Sequence, residues 1–487
     1  MSPILQRFGP LFNPKSIVWI GASNNPEKWG YSMLFQLLRG GYKGKVYPVN
    51  PNGEEILGLD VYPKVTSIPE AADLAVVLVS PSVIPKIIAE CVQKGVKSGI
   101  IISAGFAELG AEGKRLEEET VEIARRGGMV LVGPNCNGVI STTSNLYVRT
   151  LEQFPKPGNL AVVTQSGNVG SSLTRRALRN DVGLSRYVSS GNEADLHCQD
   201  FIEFLGEDNE TKVILAYMEG FRNGREFFGV FRRVAQRKPI VVLKGGNTDA
   251  GTKAAQSHTA ALTAPEPIFD ALCKQTGAIK VRDEDELFNL GVAFLTQPLP
   301  KGRGVGIITT AGGWGVLAAD ACAKRGLDVI PLPEEAFKKI NQVLASRWSR
   351  GNPVDTAGAP KYEELRICIE ALLECSNIDS LLLLGFGVST VMAHAHLSSQ
   401  SEEDNRLNLA AELMADDQEI VNDLKKLINQ YGKPIILSSP WFPGVTELEK
   451  ELAMNMGKNG ILCCSLPEHA VAVLSGLVQY SEYLKAT

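Results

Sequence analysis

Short apolar runs, each closed by a glycine or a small polar residue and followed by a helical stretch, recur along this chain and restrict the folds open to it. Ser16-Ile17-Val18-Trp19-Ile20 runs into Gly21-Ala22; Lys45 to Pro51, Leu74 to Ser80, Gly99 to Ala104 and Met129 to Gly133 follow the same plan. Strands that are apolar throughout must be covered on both faces, and strands alternating with helices satisfy that by forming a parallel, doubly wound sheet. Ligands of such sheets bind beyond the carboxyl ends of the strands, where the strand order reverses. That singles out the loops 21–30, 50–51, 80–81 and 103–108 as a binding rim.

A dinucleotide is not the expected ligand of that rim. The first loop reads Gly21-Ala22-Ser23-Asn24-Asn25-Pro26, without the G-x-G-x-x-G spacing, and the second strand ends in Asn50 rather than an acidic residue that would hold a ribose diol. The loop still presents backbone N–H groups at a helix start, which suits a phosphate.

Past the linker Pro155-Lys156-Pro157-Gly158, the strand Leu160 to Thr164 opens into Gln165-Ser166-Gly167-Asn168-Val169-Gly170 and a helix. The free N–H groups and the dipole of that helix start favour an anion, and Ser166 adds a hydroxyl. A second polar glycine loop follows at 188–195, and then the strand Val213 to Met218, which ends in Glu219. The segment Lys253 to Thr263, KAAQSHTAALT, carries His258, one of five histidines, in a run of small residues between a strand and a helix. A histidine that accepts a phosphoryl group on one nitrogen needs an acceptor on its other N–H, and a carboxylate such as Glu219 on the same sheet rim would fix the tautomer.

After Pro298-Leu299-Pro300-Lys301-Gly302 the chain repeats itself. Gly304 to Val316, with its Gly312-Gly313 loop, echoes Leu160 to Ser172, and Lys433 to Leu437 echoes Lys238 to Val242. Gly351-Asn352-Pro353-Val354-Asp355 adds a polar turn ending in a carboxylate. The expected division is therefore 1–145, 146–298 and 299–487, in keeping with about three domains for 487 residues.

Composition closes off other classes. A net charge of −5 argues against a general nucleic-acid binder. No apolar run reaches the ~18–20 residues of a membrane helix. Nine cysteines with no C-x-x-C pair and no signal peptide point to the reducing cytoplasm. His394-Ala395-His396 has no acidic or thiol ligand close by in the sequence, so no metal site is expected.

Gly21-Ala22-Ser23, Asn50-Pro51, Ser103-Ala104-Gly105-Phe106-Ala107-Glu108 and Gly133-Pro134-Asn135-Cys136-Asn137-Gly138 resemble the CoA-binding domain of the nucleoside-diphosphate-forming acyl-CoA synthetases, relatives of succinyl-CoA synthetase. The runs QSGNVG at 165–170, SHT at 257–259 and TTAGGWG at 309–315, in that order, resemble the rest of the same family. The resemblance covers essentially the whole chain. It implies an α/β fold: a Rossmann-like CoA-binding domain followed by two flavodoxin-like, doubly wound parallel-sheet domains.

The resemblance also implies roles. CoA, as substrate, would be held by Gly21, Ser23, Asn50, Pro51, Ser80, Pro81, Ser103 and Asn135. Phosphate would be held by Gln165, Ser166, Gly167, Asn168, Gly312, Gly313 and Asp355, between two facing helix starts. His258 would carry the phosphoryl group with Glu219 orienting it. Cys136 is expected to pack rather than react, since the family's covalent chemistry is phosphoryl transfer. The chain would be the alpha subunit of an ADP-forming acid–CoA ligase, in an α2β2 heterotetramer with an ATP-grasp beta subunit that binds ATP or ADP with Mg2+. Ala260 and Ala264 stand where the family pattern has glycines. They motivate the alternative, a non-catalytic CoA-binding regulatory or scaffold protein.

Overall fold

The computed structural model describes residues 2–53, 55–221, 223–253, 265–397, 403–440 and 446–487. The first sheet has five parallel strands in the spatial order Lys45–Val49, Ser16–Ile20, Leu74–Val77, Ser98–Ile101, Val130–Val132. Its central members are apolar because helices cover both faces; Ile17, Val18, Trp19 and Leu74 to Val77 have no exposed surface. The chain runs from Ser16–Ile20 outward to Lys45–Val49, then crosses back to Leu74–Val77. The switch point therefore lies above Ser16–Ile20.

A second sheet orders its strands Ile279–Val281, Ile240–Lys244, Val213–Met218, Pro157–Thr164, Leu184–Ser189, and then the antiparallel hairpin Val139–Ser141 and Leu146–Val148. The third runs Cys463–Cys464, Ile435–Ser438, Ser380–Leu384, Gly304–Thr309, Asp328–Val329. The parallel parts of these two sheets have the same connectivity, which is the fold-level expression of the sequence repeat. One difference is local. The place of Leu184–Ser189 is divided in the third sheet between Asp328–Val329 and Val354–Asp355, both paired with Gly304–Thr309. Asn352 fills the break: its Oδ1 accepts from Ile307 N at 2.9 Å, and its Nδ2 donates to Val305 O at 2.9 Å and Ile330 O at 2.7 Å.

The chain forms two compact units, residues 1–178 with 183–284, and 179–182 with 285–487. Two of the three expected segments thus share one unit. The expected division at 145/146 falls inside the hairpin of residues 139–148, because Val139 pairs with Val188 and completes the second sheet. Likewise the helix Glu284–Thr296, which lies within the expected bounds of the second segment, goes with the second unit from Asp285 on. Its Glu286 pairs with Arg325 at 2.6 Å and its Asn289 amide contacts Cys464 Sγ at 3.6 Å. No helix among the described residues is long and apolar enough to cross a membrane.

Candidate functional site

The first unit holds a cleft of about 440 Å³ at the carboxyl ends of its two sheets. Its walls are Trp29, Leu78, Ile102, Ser103, Ala104, Asn135, Cys136, Asn137, the run Gln165 to Asn168, Gly191 and Asn192. None of these side chains is charged. The cleft brings together Ser103, Asn135, Gln165, Ser166, Gly167 and Asn168, which come from both expected domains.

Two loops meet to make the floor. Asn135 takes a left-handed conformation at φ 55° and donates its N–H to Ser103 O at 2.9 Å. Asn192 N donates to Pro134 O and Ala194 N to Gly133 O, at 2.9 and 3.1 Å. Gly191, at φ +60°, must be glycine here, since a Cβ would lie 2.3 Å from Pro134 O. The Asn192 side chain is held on both sides. Its Nδ2 donates to Glu108 Oε2 at 2.5 Å and Glu117 Oε2 at 3.0 Å, and its Oδ1 accepts from Asn135 Nδ2 at 3.2 Å. Burial pushes the Glu108 carboxyl up, but hydrogen bonds from Gly105 N, the Asn192 amide and Phe106 N outweigh it and hold it below its usual range. The 103–108 loop is thereby locked to the floor as a charged, hydrogen-bonded strut.

The helix Gly167–Arg179 begins at the cleft wall. Thr164 Oγ1 donates to Ser166 O at 2.8 Å and accepts from Ser166 N at 3.1 Å, so the strand turns sharply into the helix. Ser166 Oγ accepts from Val169 N at 3.4 Å, and Asn137 Nδ2 reaches Gly167 O at 3.4 Å. A Cβ at Gly167 would press on Asn137 Cβ at 3.0 Å. A helix start without intrahelical acceptors for its first N–H groups, opening on a cleft, presents donors of the kind an anion can accept from.

Gln165 departs from the expectation that it holds phosphate. Its Oε1 accepts from Glu219 N at 2.5 Å and Gly220 N at 3.3 Å, and its Nε2 donates to Gly220 O at 3.1 Å. Both ends of the amide are turned to the neighbouring strand, so its polar atoms fix the segment carrying Glu219 instead of facing the cleft. Glu219 is buried at 6% exposure, with the Tyr217 hydroxyl 3.5 Å from its Oε1. Burial and then the Glu219 charge push the Tyr217 hydroxyl up to about 12. His258, Ala260 and Ala264 lie outside the described residues. The chain leading to them is anchored by Lys244, whose ammonium donates to Gly245 O, Gly246 O and Asn247 Oδ1 at 3.0, 3.1 and 3.3 Å.

The residues expected to hold CoA form the rim above the first sheet. Gly21 sits at φ +90°, and a Cβ there would meet Leu78 O at 2.4 Å. Ser23 Oγ accepts from Asn25 N at 3.1 Å. Asn50 ties two loops together, donating to Ala22 O at 2.8 Å and accepting from Asn52 N at 2.9 Å. Ser80 is exposed and next to Ser82, Pro81 packs under Gly105, and Pro51 is exposed. Of these residues only Ser103 and Asn135 line the cleft. Trp29 and Asn137 also form walls; the sequence placed them in the 21–30 rim loop and the 133–138 run without singling them out. Trp29 stands at the start of the helix Trp29–Arg39, 57% exposed, and its place in the 21–30 rim loop was the signal the sequence offered.

Cys136 Sγ donates to Ile101 O at 3.3 Å, and burial pushes its thiol up to about 12. A thiol with so little thiolate is a poor nucleophile. Cys136→Ala is expected to keep turnover within about threefold and to lower stability by about 1 kcal/mol, the scale of one buried hydrogen bond. Steady-state kinetics and a thermal melt check this.

In the second unit the turn recurs. Thr309 Oγ1 donates to Ala311 O at 2.8 Å and accepts from Ala311 N at 3.1 Å, ahead of the helix Gly312–Lys324. Asp355, paired with Thr309, has its Oδ1 on Ala357 N at 2.9 Å, while a Cβ at Gly312 would lie 2.7 Å from its Oδ2. A carboxylate therefore already lies against this helix start, beside the Gly312-Gly313 run.

Three family models match the sequence: a CoA binding domain at residues 15–142, a succinyl-CoA ligase like flavodoxin domain at 157–294, and a ligase-CoA domain at 305–426. The chain is 38% identical to the alpha subunit of ADP-forming acetate–CoA ligase II of Pyrococcus furiosus, over 97% of both chains. It is 33% identical to ADP-forming acetate–CoA ligase II of Archaeoglobus fulgidus, over 97% of this chain and 67% of that longer one. Among solved structures it resembles the dinucleotide forming acetyl-coenzyme A synthetase 1 of Ca. Korarchaeum cryptofilum, in complex with phosphate and ADP, with a TM-score of 0.83 at 30% identity and 98% coverage of both chains.

Proposed function

The chain belongs to the nucleoside-diphosphate-forming acyl-CoA synthetase family, and from that premise we propose that it is the alpha subunit of an ADP-forming acid–CoA ligase. The observation that carries the reading is the cleft of the first unit, where Ser103 and Asn135 share one cavity with the helix start at Gly167. An acyl thioester and an anion brought there would react across a few ångströms. Phosphate oxygen attacks the thioester carbonyl, the C–S bond breaks, and CoA leaves as the thiol. The products are CoA and an acyl phosphate.

The next step is assigned to His258. An imidazole nitrogen attacks phosphorus, the bond from phosphorus to the carboxyl oxygen breaks, and the acid departs as a carboxylate. The phosphoryl group then passes to ADP with Mg2+ on an ATP-grasp beta subunit, giving ATP. Run backwards, the sequence makes acyl-CoA from acid, CoA and ATP. Such transfers depend mostly on positioning and charge stabilisation, which a preorganised helix start supplies. Gly21, Ser23, Asn50, Pro51, Ser80 and Pro81 are assigned to CoA, and Gly312, Gly313 and Asp355 to the phosphoryl group. An α2β2 assembly in the cytoplasm goes with this reading; the nine cysteines, all unbridged, are in keeping with a reducing compartment.

The test is mass spectrometry of the chain under non-acidic conditions after incubation with an ATP-grasp partner and Mg-ATP. One added phosphoryl group, mapped to His258 and discharged by ADP, is the expected result. An unmodified histidine with a partner of proven competence would instead favour the CoA-binding, non-catalytic alternative.

A further inference from the structure

The cleft that receives an anion carries no charged side chain on its wall. A cation lies behind that wall. Arg149 is 2% exposed, and its guanidinium donates to Thr174 Oγ1 at 3.3 Å and to Ser171 Oγ, with its Cζ 4.2 Å from the centroid of the Tyr187 ring. Its buried Nε has no hydrogen-bond partner, and no carboxylate pairs with it among the described residues. A buried cation without a counter-ion is costly, and removing such a cost is what an incoming anion can do.

The two hydroxyls that accept from Arg149 pass its charge on. Ser171 Oγ donates to Gly167 O and Thr174 Oγ1 to Gly170 O, both at 2.8 Å. The Gly167 carbonyl belongs to the same peptide unit as the Asn168 N–H. Resonance across that unit makes its N–H a stronger donor when its carbonyl is polarised. Gly167 and Asn168 are the cleft residues at this helix start.

We propose that Arg149 is a positioning residue for the anion bound at Gly167 and Asn168: it supplies, through Ser171 and the first helical turn, the positive charge that the uncharged wall lacks. This rests on the phosphate-binding reading given above. It assigns the guanidinium no contact with the substrate.

The experiment measures inorganic phosphate binding to the purified chain by 31P line broadening and CoA binding by calorimetry, for the native protein, Arg149→Lys, Arg149→Met and Ser171→Ala. Arg149→Met is expected to weaken phosphate about tenfold or more with CoA affinity within about twofold, and Arg149→Lys to recover most of the loss. Ser171→Ala, which keeps the charge but breaks the relay, is expected to weaken phosphate about threefold. Unchanged phosphate affinity in a folded Arg149→Met protein overturns the proposal, and so does parallel loss of phosphate and CoA in both arginine variants. If Arg149→Met does not fold, unchanged phosphate affinity in Ser171→Ala overturns it. Phosphate binding that depends on Arg149, in a chain whose His258 never takes up a phosphoryl group, would sink the ligase reading and leave this one standing. Phosphorylation of His258 with no dependence on Arg149 would do the reverse.

Discussion

His258→Ala is expected to abolish turnover with the nucleotide-binding partner present, by about 10⁴-fold or more, while CoA binds as in the native protein. The size follows from the chemistry. With alanine no atom remains to carry the phosphoryl group, so the two half-reactions are uncoupled rather than slowed. CoA affinity is untouched because the rim assigned to CoA is built from other elements: Gly21 at its strand end, Asn50 bridging to Ala22, and Ser103 held to Val79 O at 2.7 Å. Acyl phosphate formation should also survive, since that step uses the helix start at Gly167. The check is a coupled assay of ATP formation beside a CoA titration and trapping of acyl phosphate with hydroxylamine. Native rates of ATP formation would refute the assignment of His258.

Glu219→Gln is expected to lower the rate of phosphoryl transfer by about 10–100-fold, with phosphate and CoA affinities held within about twofold. The amide keeps the shape and one acceptor oxygen but loses the charge. An imidazole that takes a phosphoryl group becomes cationic, and a buried carboxylate offsets that charge where water cannot. Glu219 is suited to this. It is 6% exposed, its backbone N–H is fastened to Gln165 Oε1 at 2.5 Å, and Tyr217 stands beside its Oε1. Single-turnover transfer from Mg-ATP to the histidine, followed by rapid quench, isolates the step. A rate unchanged in Glu219→Gln would remove Glu219 from the mechanism and leave it a structural carboxylate.

The parallel sheets, the helix starts at Gly167 and Gly312 and the repeat of the second sheet in the third were all legible from the sequence, because each is written in local pattern. An apolar run ending in a polar glycine turn predicts strand, loop and helix without reference to anything distant. The tertiary structure alone decided what depends on which strands become neighbours. The hairpin of residues 139–148 finishes the second sheet because Val139 finds Val188, a pairing across nearly fifty residues that no local pattern encodes. Gln165 turns away from the cleft because Pro157–Thr164 lies beside Val213–Met218, whose end offers N–H groups and a carbonyl at amide spacing. Arg149 carries no motif at all. Only folding sets the helix Gly167–Arg179 over it and encloses its charge, and the physical reason is the one that governs every buried ion: its role is set by the partners that packing brings to it, not by its neighbours in the chain.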